Sequence, residues 1–282
     1  MAPVMQKILV TGSNGMVASY IPLVFSTKNL LLMDKSHMDI THPQQVARII
    51  QKNKPNIIIH LAAATNVDAC EKEQTYAMKV NYLGTSAVAK AAKNVGATIL
   101  YLSSSAVFDG QKKYYLEHDI PNPINVYGKS KLLGEQVIQQ MHPRFIILRC
   151  GWIIGGGAKE KKFLSFIKKQ LDEGKKEIFA SNDQYGCIMY GKHLVAFMKE
   201  LVDEKRYGIY HVGSRNTCSR FDLAKYFVRK MGGKTKITPT KAAIFQSTFF
   251  APRPQYEVVR STKKQYHQSW QQSVDAYITN EF

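Results

Sequence analysis

Apolar runs of strand length alternate with helical patterns through the first 150 residues of this 282-residue chain. The pattern predicts strands at residues 7–11, 29–33, 56–61, 97–102 and 145–149, and helices at about 16–26, 43–52, 74–95 and 130–141. The strand runs are apolar at successive positions, which indicates that both of their faces are buried. Repeated alternation of this kind predicts an α/β fold in which helices cover both faces of a parallel sheet.

The pattern changes after about residue 150. A glycine-rich turn at residues 155–157 leads into a basic segment at 159–176, and further strand and helix patterns follow at 207–212 and 220–231. We therefore predict a sheet-forming domain at residues 1–150 and mainly a smaller, substrate-facing α/β lobe at 151–282. Segments such as 178–203 could return to the first domain.

The net charge is strongly positive, because 39 Lys and Arg residues stand against 21 Asp and Glu residues, a balance of +18. Such a charge favours anionic partners, among them nucleic acids, anionic membranes and small phosphorylated ligands. No nucleic-acid-binding motif accompanies the lysines at 159, 161, 162, 168, 169, 175 and 176, which fit the solvated face of an amphipathic helix. We predict no specific nucleic-acid partner.

Composition and cysteine spacing exclude further classes of protein. The hydrophobic fraction of 45% argues against disorder. No run approaches the roughly 18 apolar residues of a membrane span, and the first residues enter a strand pattern rather than a secretory signal. The cysteines at 70, 150, 187 and 218 are isolated, which predicts neither a disulfide framework nor a metal site. We therefore expect a cytoplasmic protein with no membrane partner and no metal.

A glycine-rich turn, Gly12-Ser13-Asn14-Gly15-Met16-Val17-Ala18, joins the first strand to the first helix. Small residues at such a turn let a pyrophosphate approach the helix N-terminus. Asp34 follows the second strand, where a dinucleotide-binding unit places the carboxylate that binds a ribose 2′-hydroxyl. The adjacent Lys35 could instead accommodate a 2′-phosphate, so the choice between NADH and NADPH stays open. Asp39-Ile40 fits either an adenine contact or a solvated Asp before a helix.

Tyr127 and Lys131 lie four residues apart, on one face at the start of a helix. An ammonium beside a phenol stabilises the phenolate, which would lower the pKa of Tyr127 from about 10 and suit it to general acid catalysis. The fourth strand ends in residues 103–105, three serines, at the sheet edge where α/β folds bind ligands. One of these hydroxyls could donate a hydrogen bond to a substrate carbonyl. This is the arrangement that a carbonyl reductase needs.

These motifs occur together in the chain order of one family. The chain resembles the extended short-chain dehydrogenase/reductases, and within them the dTDP-4-dehydrorhamnose reductases. The resemblance covers nearly the whole length and is carried by VTGSNGMVAS, MDKSHMDIT, HLAAATNVDACE, VNYLGT, LSSSAVFDG, PNPINVYGKSKLLGE, LRCGWIIGGG, SNDQYG and APRPQY. It implies a Rossmann-like, doubly wound sheet at residues 1–150 that binds the dinucleotide, and mainly a substrate-binding lobe at 151–282.

The resemblance also implies roles for individual residues. Tyr127 would be the proton donor, Lys131 would hold the nicotinamide ribose and tune Tyr127, and Ser104 would supply the hydroxyl. Around the cofactor it places Gly12, Asn14, Gly15, Met16, Val17, Asp34, Lys35, Asp39, Ile40, Ala62, Ala63, Ala64 and Thr65, and around the substrate Ser104, Ser105, Trp152 and Arg253. The implied reaction is reduction by NADPH or NADH of the C4 keto group of a dTDP- or UDP-linked 4-keto-6-deoxyhexose in deoxysugar biosynthesis. A homodimer is common in the wider superfamily.

Two departures from the family pattern fall in the expected sugar pocket. Ala106 stands where the rhamnose reductases usually have a Tyr, and residues 187–189 replace a Gly-Ser-Pro-Thr run after the Asp-Gln pair. The sequence therefore does not identify the sugar of the substrate. The alternative is a non-catalytic regulatory subunit, because the beta subunit of methionine adenosyltransferase resembles the same reductases.

Overall fold

A six-stranded parallel sheet forms the centre of the structure, a computed structural model that describes residues 6–160 and 162–282. Lys161, one of the lysines in the basic segment, lies outside the described residues. The strands are β1 (Ile8–Thr11), β2 (Leu30–Met33), β3 (Ile57–His60), β4 (Thr98–Ser104), β5 (Phe145–Cys150), β6 (Trp152–Ile154), β7 (Glu177–Ser181), β8 (Tyr185–Gly186), β9 (Ile188–Tyr190), β10 (Gly208–Val212), β11 (Cys218–Ser219), β12 (Lys236–Thr240) and β13 (Tyr256–Glu257).

The strand order of the central sheet is β10-β5-β4-β3-β1-β2, and every neighbouring pair is parallel. The chain leaves β1 to one side to form β2 and then returns to the other side to form β3. Such a reversal opens a crevice at the carboxyl edge of a parallel sheet, where ligands bind. The predicted α/β fold with a doubly wound parallel sheet is confirmed.

Ten α-helices surround the sheets in the part of the chain that the structure describes. They are α1 (Ile21–Val24), α2 (Pro43–Asn53), α3 (Val67–Lys72), α4 (Gln74–Met78), α5 (Thr85–Asn94), α6 (Val126–Met141), α7 (Phe163–Asp172), α8 (Gly191–Asp203), α9 (Arg220–Lys230) and α10 (Trp270–Glu281). The predicted helix at 16–26 is a 3₁₀ turn (Val17–Tyr20) followed by α1. The one predicted at 74–95 is α4 and α5 joined by a π-helical segment (Lys79–Gly84).

Apolar side chains fill both sides of the sheet. In β1, Ile8 and Val10 pack with α8 and α1 on one side, whereas Leu9 packs with α2 and α5 on the other. In β4, Leu100 and Tyr101 divide between the same two clusters. Successive side chains of a strand point to opposite faces, so a strand that is apolar throughout requires a cover on each side.

The second half of the chain contributes to the central sheet. β10 pairs with β5 at its edge, and α8 packs against the 3₁₀ turn Val17–Tyr20 and α1. The other strands of this half form smaller sheets, in which β7 pairs with β12, β6 with β9, and β8 with both β11 and β13. The division at residue 150 into a dinucleotide-binding domain and a substrate lobe stays a prediction.

A buried ion pair ties α6 to the sheet beneath it. The Glu135 carboxylate accepts hydrogen bonds from Arg149 Nε and Nη2 at 3.0 and 2.7 Å and from the Ser103 hydroxyl at 2.5 Å. All three residues are less than 5% exposed. Because an unpaired buried carboxylate is costly, these contacts fix α6 against β4 and β5.

The structure bears on two further sequence expectations. All four cysteines are free and buried. Within residues 6–160 and 162–282, no helix has both the length and the apolar content that a membrane crossing needs, and no cluster of three or more His, Cys, Asp or Glu side chains could hold a metal.

Candidate active site

The predicted site residues lie along the carboxyl edge of the central sheet. Thr11 ends β1 immediately before Gly12, and Met33 ends β2 immediately before Asp34. β3 ends before residues 61–65, β4 ends at Ser104, and β5 ends two residues before Trp152. Parallel pairing aligns these strand ends, so residues from five strands converge on one crevice.

Gly12 forms a turn that has no space for a side chain. Its φ is +68°, and a Cβ atom would lie 2.7 Å from the Cα of Ala62. The Gly15 N–H donates to the Gly12 carbonyl at 2.9 Å, whereas the N–H groups of Asn14 and Met16 have no acceptor among the described residues. A tight turn with free N–H donors fits the pyrophosphate of a dinucleotide.

A buried hydrogen-bond chain holds the next strand end against this turn. The Thr11 hydroxyl oxygen accepts from the Leu61 and Ala62 N–H groups at 3.2 and 3.1 Å, so its own proton is available for His60 Nδ1 at 2.7 Å. His60 Nε2 then donates to the Thr85 hydroxyl at 3.0 Å. Burial lowers the pKa of His60 to about 3, which keeps it neutral. His60 is therefore a structural side chain with both ring nitrogens hydrogen-bonded.

Asp34 connects the end of β2 to the glycine turn. Its Oδ1 accepts from the Ser36 hydroxyl at 2.6 Å and from His37 Nδ1 at 2.7 Å, and its Oδ2 accepts from Asn14 Nδ2 at 2.9 Å. These hydrogen bonds, that of Ser36 foremost, lower the pKa of Asp34. Lys35 is exposed beside it. Both the ribose role of Asp34 and the 2′-phosphate role of Lys35 stay predictions.

Asp39 and Ile40 differ in their surroundings. The Asp39 carboxylate accepts from the Thr41 N–H and hydroxyl at 2.9 and 2.8 Å, in the turn that precedes α2. Although burial opposes ionisation, these hydrogen bonds lower the pKa of Asp39. Ile40 lies in the core against Gly84, whose Cβ would come within 2.9 Å of it. The adenine contact stays a prediction for both.

Asn81 joins the cofactor segment to the helix that carries Tyr127. Its Oδ1 accepts from the Ala64 N–H at 2.8 Å, while its Nδ2 donates to the Ala64 carbonyl at 3.0 Å and the Ser130 hydroxyl at 2.9 Å. Asn81 is fully buried. The sequence analysis did not assign it a role, although a buried polar residue within the apolar VNYLGT motif is a usable signal. Ala62, Ala63 and Ala64 are partly buried and Thr65 is exposed.

Tyr127 lies in the first turn of α6, beside the end of β4. The Asn125 side chain caps the helix by accepting from the Gly128 N–H at 2.8 Å, so α6 begins before the predicted residue 130. Burial raises the pKa of Tyr127 to about 12, and the nearby Ser104 hydroxyl acts in the opposite direction. Ser104 Oγ also accepts from the Ala106 N–H at 3.2 Å.

Lys131 is buried, with Nζ 3.9 Å from the centre of the Tyr101 ring. Burial lowers the pKa of Lys131 to about 7, and the carboxylate of Glu135 opposes this shift. The sequence predicted that Lys131 lowers the pKa of Tyr127. That prediction is wrong for the protein alone, since desolvation disfavours the charged form of both side chains.

Ser105 and Trp152 meet at a carboxylate that the sequence analysis missed. Trp152 Nε1 donates to Glu257 Oε1 at 3.0 Å, and the Ser105 hydroxyl donates to Glu257 Oε2 at 3.5 Å. Glu257 comes from β13, more than 100 residues after Trp152, so no local pattern relates the two. Ser105 and the adjacent Ala106 are both buried.

Arg253 is paired within the protein. Its Nη2 donates to Asp68 Oδ2 at 2.5 Å and its Nη1 to the Ala251 carbonyl at 3.0 Å. The same Asp68 carboxylate accepts from the Ala251 N–H at 3.0 Å. The substrate contact predicted for Arg253 stays a prediction.

Comparison with known proteins decides the family. The sequence model described as the RmlD substrate binding domain matches residues 5–281. The chain belongs to this family. The predicted resemblance to the extended short-chain dehydrogenase/reductases and the dTDP-4-dehydrorhamnose reductases is thereby confirmed.

Three relatives illustrate the likeness to the RmlD family. The spore coat polysaccharide biosynthesis protein SpsK of Bacillus subtilis is 31% identical over 258 residues, 90% of this chain and 89% of that protein. A crystal structure of a dTDP-4-dehydrorhamnose reductase from Clostridium acetobutylicum has a TM-score of 0.91 at 33% identity, covering 97% of this chain and 98% of the other. The crystal structure of a dTDP-4-dehydrorhamnose reductase from Bacillus anthracis, in complex with NADP, has a TM-score of 0.93 at 30% identity. It covers 98% of this chain and 99% of the other.

Proposed function

We propose that this protein reduces the C4 keto group of a nucleotide-linked 4-keto-6-deoxyhexose, with NADPH or NADH as the hydride donor. The proposal includes the predicted place in deoxysugar biosynthesis, a cytoplasmic location and a homodimer. The observation that carries it is the placement of three side chains: Ser104 at the carboxyl end of β4, Tyr127 beside it in the first turn of α6, and Lys131 one helical turn further along α6.

The class of reaction, as distinct from the particular substrate, follows from family membership. The chain is a nicotinamide-dependent oxidoreductase of the sugar-nucleotide reductase class, since its relatives include dTDP-4-dehydrorhamnose reductases over most of its length. The Bacillus anthracis relative binds NADP, and related folds bind NAD. The preferred dinucleotide, the nucleotide base and the sugar belong to the proposal alone.

The glycine turn and the segment at 61–65 would hold the dinucleotide. Gly12 leaves room for its pyrophosphate, and the free N–H groups of Asn14 and Met16 would donate to it. Lys131 would contact the nicotinamide ribose. When bound, the reduced nicotinamide supplies a hydride.

Tyr127 would protonate the oxygen of the reduced carbonyl. With a pKa of about 12 the phenol carries its proton at neutral pH and is ready to donate it. Ser104 would donate a hydrogen bond to the same oxygen as negative charge develops there. In its ammonium form, Lys131 one turn away along α6 would stabilise the phenolate that remains, and its pKa of about 7 would allow it to supply the proton that restores the phenol.

Steady-state kinetics test this proposal. We expect dTDP- or UDP-4-keto-6-deoxyhexose to drive oxidation of NADPH or NADH, measured by absorbance, and Tyr127→Phe to lower kcat by about 10²- to 10⁴-fold because it removes the proton donor. Dinucleotide affinity should change little. Tyr207→Phe, a substitution of the same type at an exposed position, should retain wild-type kcat.

The alternative of a regulatory subunit predicts different results. A protein of that kind would bind dinucleotide, turn over no keto sugar and form a complex with a methionine adenosyltransferase. Absence of turnover with either nucleotide sugar, together with such a complex in size-exclusion chromatography, would overturn the proposed reduction.

A further inference from the structure

The guanidinium group of Arg220 contacts two aromatic rings, one of them the ring of Trp152, a predicted substrate residue. The Arg220 Cζ atom is 3.9 Å from the centre of the Trp152 ring and 4.9 Å from that of Phe163. Arg220 is the first residue of α9, directly after a capping box in which Ser219 and Asp222 exchange hydrogen bonds. The cap fixes the backbone of Arg220, and cation–π contacts with both rings restrain its guanidinium group.

Among the described residues, the guanidinium N–H groups of Arg220 have no hydrogen-bond acceptor. Across residues 6–160 and 162–282, no carboxylate lies within 4.0 Å of the Arg220 guanidinium and no oxygen accepts a hydrogen bond from it. Arg253 differs from Arg220, because Asp68 and the Ala251 carbonyl accept hydrogen bonds from its guanidinium group. A stacked guanidinium still has all of its N–H donors in the ring plane, directed outward from the stack.

Charges around Arg220 indicate what it could bind. Electrostatic repulsion acts between Arg220 and both Lys162 and Arg253, whereas Glu257 attracts Arg220 and Lys162; Arg253 is itself paired with Asp68. Glu257 already accepts from Trp152 and Ser105. Arg220 and Lys162 carry two positive charges, whereas Glu257, which already accepts hydrogen bonds, carries one negative charge. The excess of positive charge beside Trp152 suits a ligand with more than one anionic oxygen.

We propose that Arg220 binds the diphosphate of the nucleotide-sugar substrate, with its N–H groups donating to phosphate oxygens and Lys162 adding charge. The inference rests on the proposed function, in which Trp152 lies beside the sugar, because the diphosphate is attached to that sugar. A planar, pre-oriented guanidinium binds phosphate oxygens in pairs at little cost in side-chain entropy. Arg220 has guanidinium donors available for an anionic substrate, whereas those of Arg253 are partly engaged by Asp68 and the Ala251 carbonyl.

Calorimetric titration with dTDP and UDP, without sugar and without turnover, tests the inference. We expect Arg220→Gln to weaken binding of the preferred nucleotide by about 10- to 100-fold, as the loss of charged hydrogen bonds predicts. Arg220→Lys should give a smaller loss, since Lys keeps the charge without the paired donors. NADPH affinity should be unchanged in both variants.

Arg229→Gln is the matched control. Arg229 lies on the same helix, is exposed, and has its Cζ 5.1 Å from the centre of the Tyr226 ring, so its substitution removes the same charge from a similar stack. This variant should bind dTDP and UDP as the wild type does. Thermal unfolding of all variants, followed by circular dichroism, confirms that they are folded before titration.

The outcomes separate this inference from the proposed reduction. Wild-type nucleotide affinity in Arg220→Gln would overturn the inference, as would wild-type protein that binds neither dTDP nor UDP. An equal loss of NADPH affinity would also overturn it, by assigning Arg220 to the cofactor. A selective loss of nucleotide binding supports it even where no keto sugar is reduced, in which case only the proposed reaction fails.

Discussion

Lys131 shows most clearly how one residue depends on its surroundings. It is 2% exposed and its ammonium lies over the Tyr101 ring, so its charged form has lost most of its hydration. Burial therefore lowers its pKa from the ordinary 10.5 to about 7. A surface lysine would bind an anion only by charge, whereas this one can gain and lose a proton near neutral pH.

We predict that Lys131→Met stabilises the protein at pH 6 and that the gain fades at higher pH. Below pH 7 the lysine is charged in both the folded and unfolded protein, so the full desolvation cost is present. Between about pH 7 and 10.5 the folded protein binds fewer protons than the unfolded one, and the cost declines. Urea unfolding should show a gain of about 2–4 kcal/mol at pH 6.

Lys129→Met, an exposed lysine of the same helix, serves as the control and should leave the free energy of unfolding nearly unchanged. A Lys131→Met protein that is less stable than the wild type across the whole pH range would contradict the account of a desolvated ammonium.

At the scale of elements, sequence patterns predicted the strands of the first half, because those depend on neighbouring residues. The five strands of the first half begin and end within about two residues of prediction, since a strand buried on both faces must be apolar throughout. The segment predicted as one helix at 74–95 is helical from Gln74 to Asn94 but includes a π-helical stretch, Lys79–Gly84, which the pattern did not indicate. α3 was missed because six largely polar residues have too little periodicity.

The glycine turn yields a prediction about an element. Gly12→Ala should abolish measurable NADPH binding, because the new Cβ would lie 2.7 Å from the Ala62 Cα and force the turn and the segment at 61–65 apart. Gly174→Ala has the same φ of +68° but nothing within 4 Å. It should cost only about 1 kcal/mol of stability and leave NADPH binding intact.

Fluorescence titration with NADPH measures both variants. Equal NADPH affinity in Gly12→Ala and the wild type would show that the turn does not hold the cofactor.

At the scale of the whole molecule, the candidate site combines residues that no single segment supplies. Gly12, Tyr127 and Lys131 could be predicted because short motifs carry them. Arg220 and Glu257 could not be assigned, since each acquires its role from a partner on a distant segment. β10, from the second half, likewise joins the central sheet through pairing with β5, which local patterns do not specify.

The net charge of +18 yields a prediction for the molecule as a whole. A field of this sign draws anionic substrates toward the protein and is screened by salt. We expect kcat/KM for the nucleotide sugar to fall several-fold between 20 and 300 mM NaCl with little change in kcat. Sucrose of equal osmolarity is the control and should not reproduce the fall; a kcat/KM that is independent of salt would contradict electrostatic attraction.

Isotope transfer tests the central claim most directly. NADPH or NADH carrying deuterium at the transferred C4 position is incubated with dTDP- or UDP-4-keto-6-deoxyhexose, and the sugar is analysed by NMR and mass spectrometry. The account predicts one deuterium at sugar C4, with the corresponding proton signal missing. A product with no deuterium at C4, or keto sugar left unreduced beside intact NADPH and NADH, would contradict it.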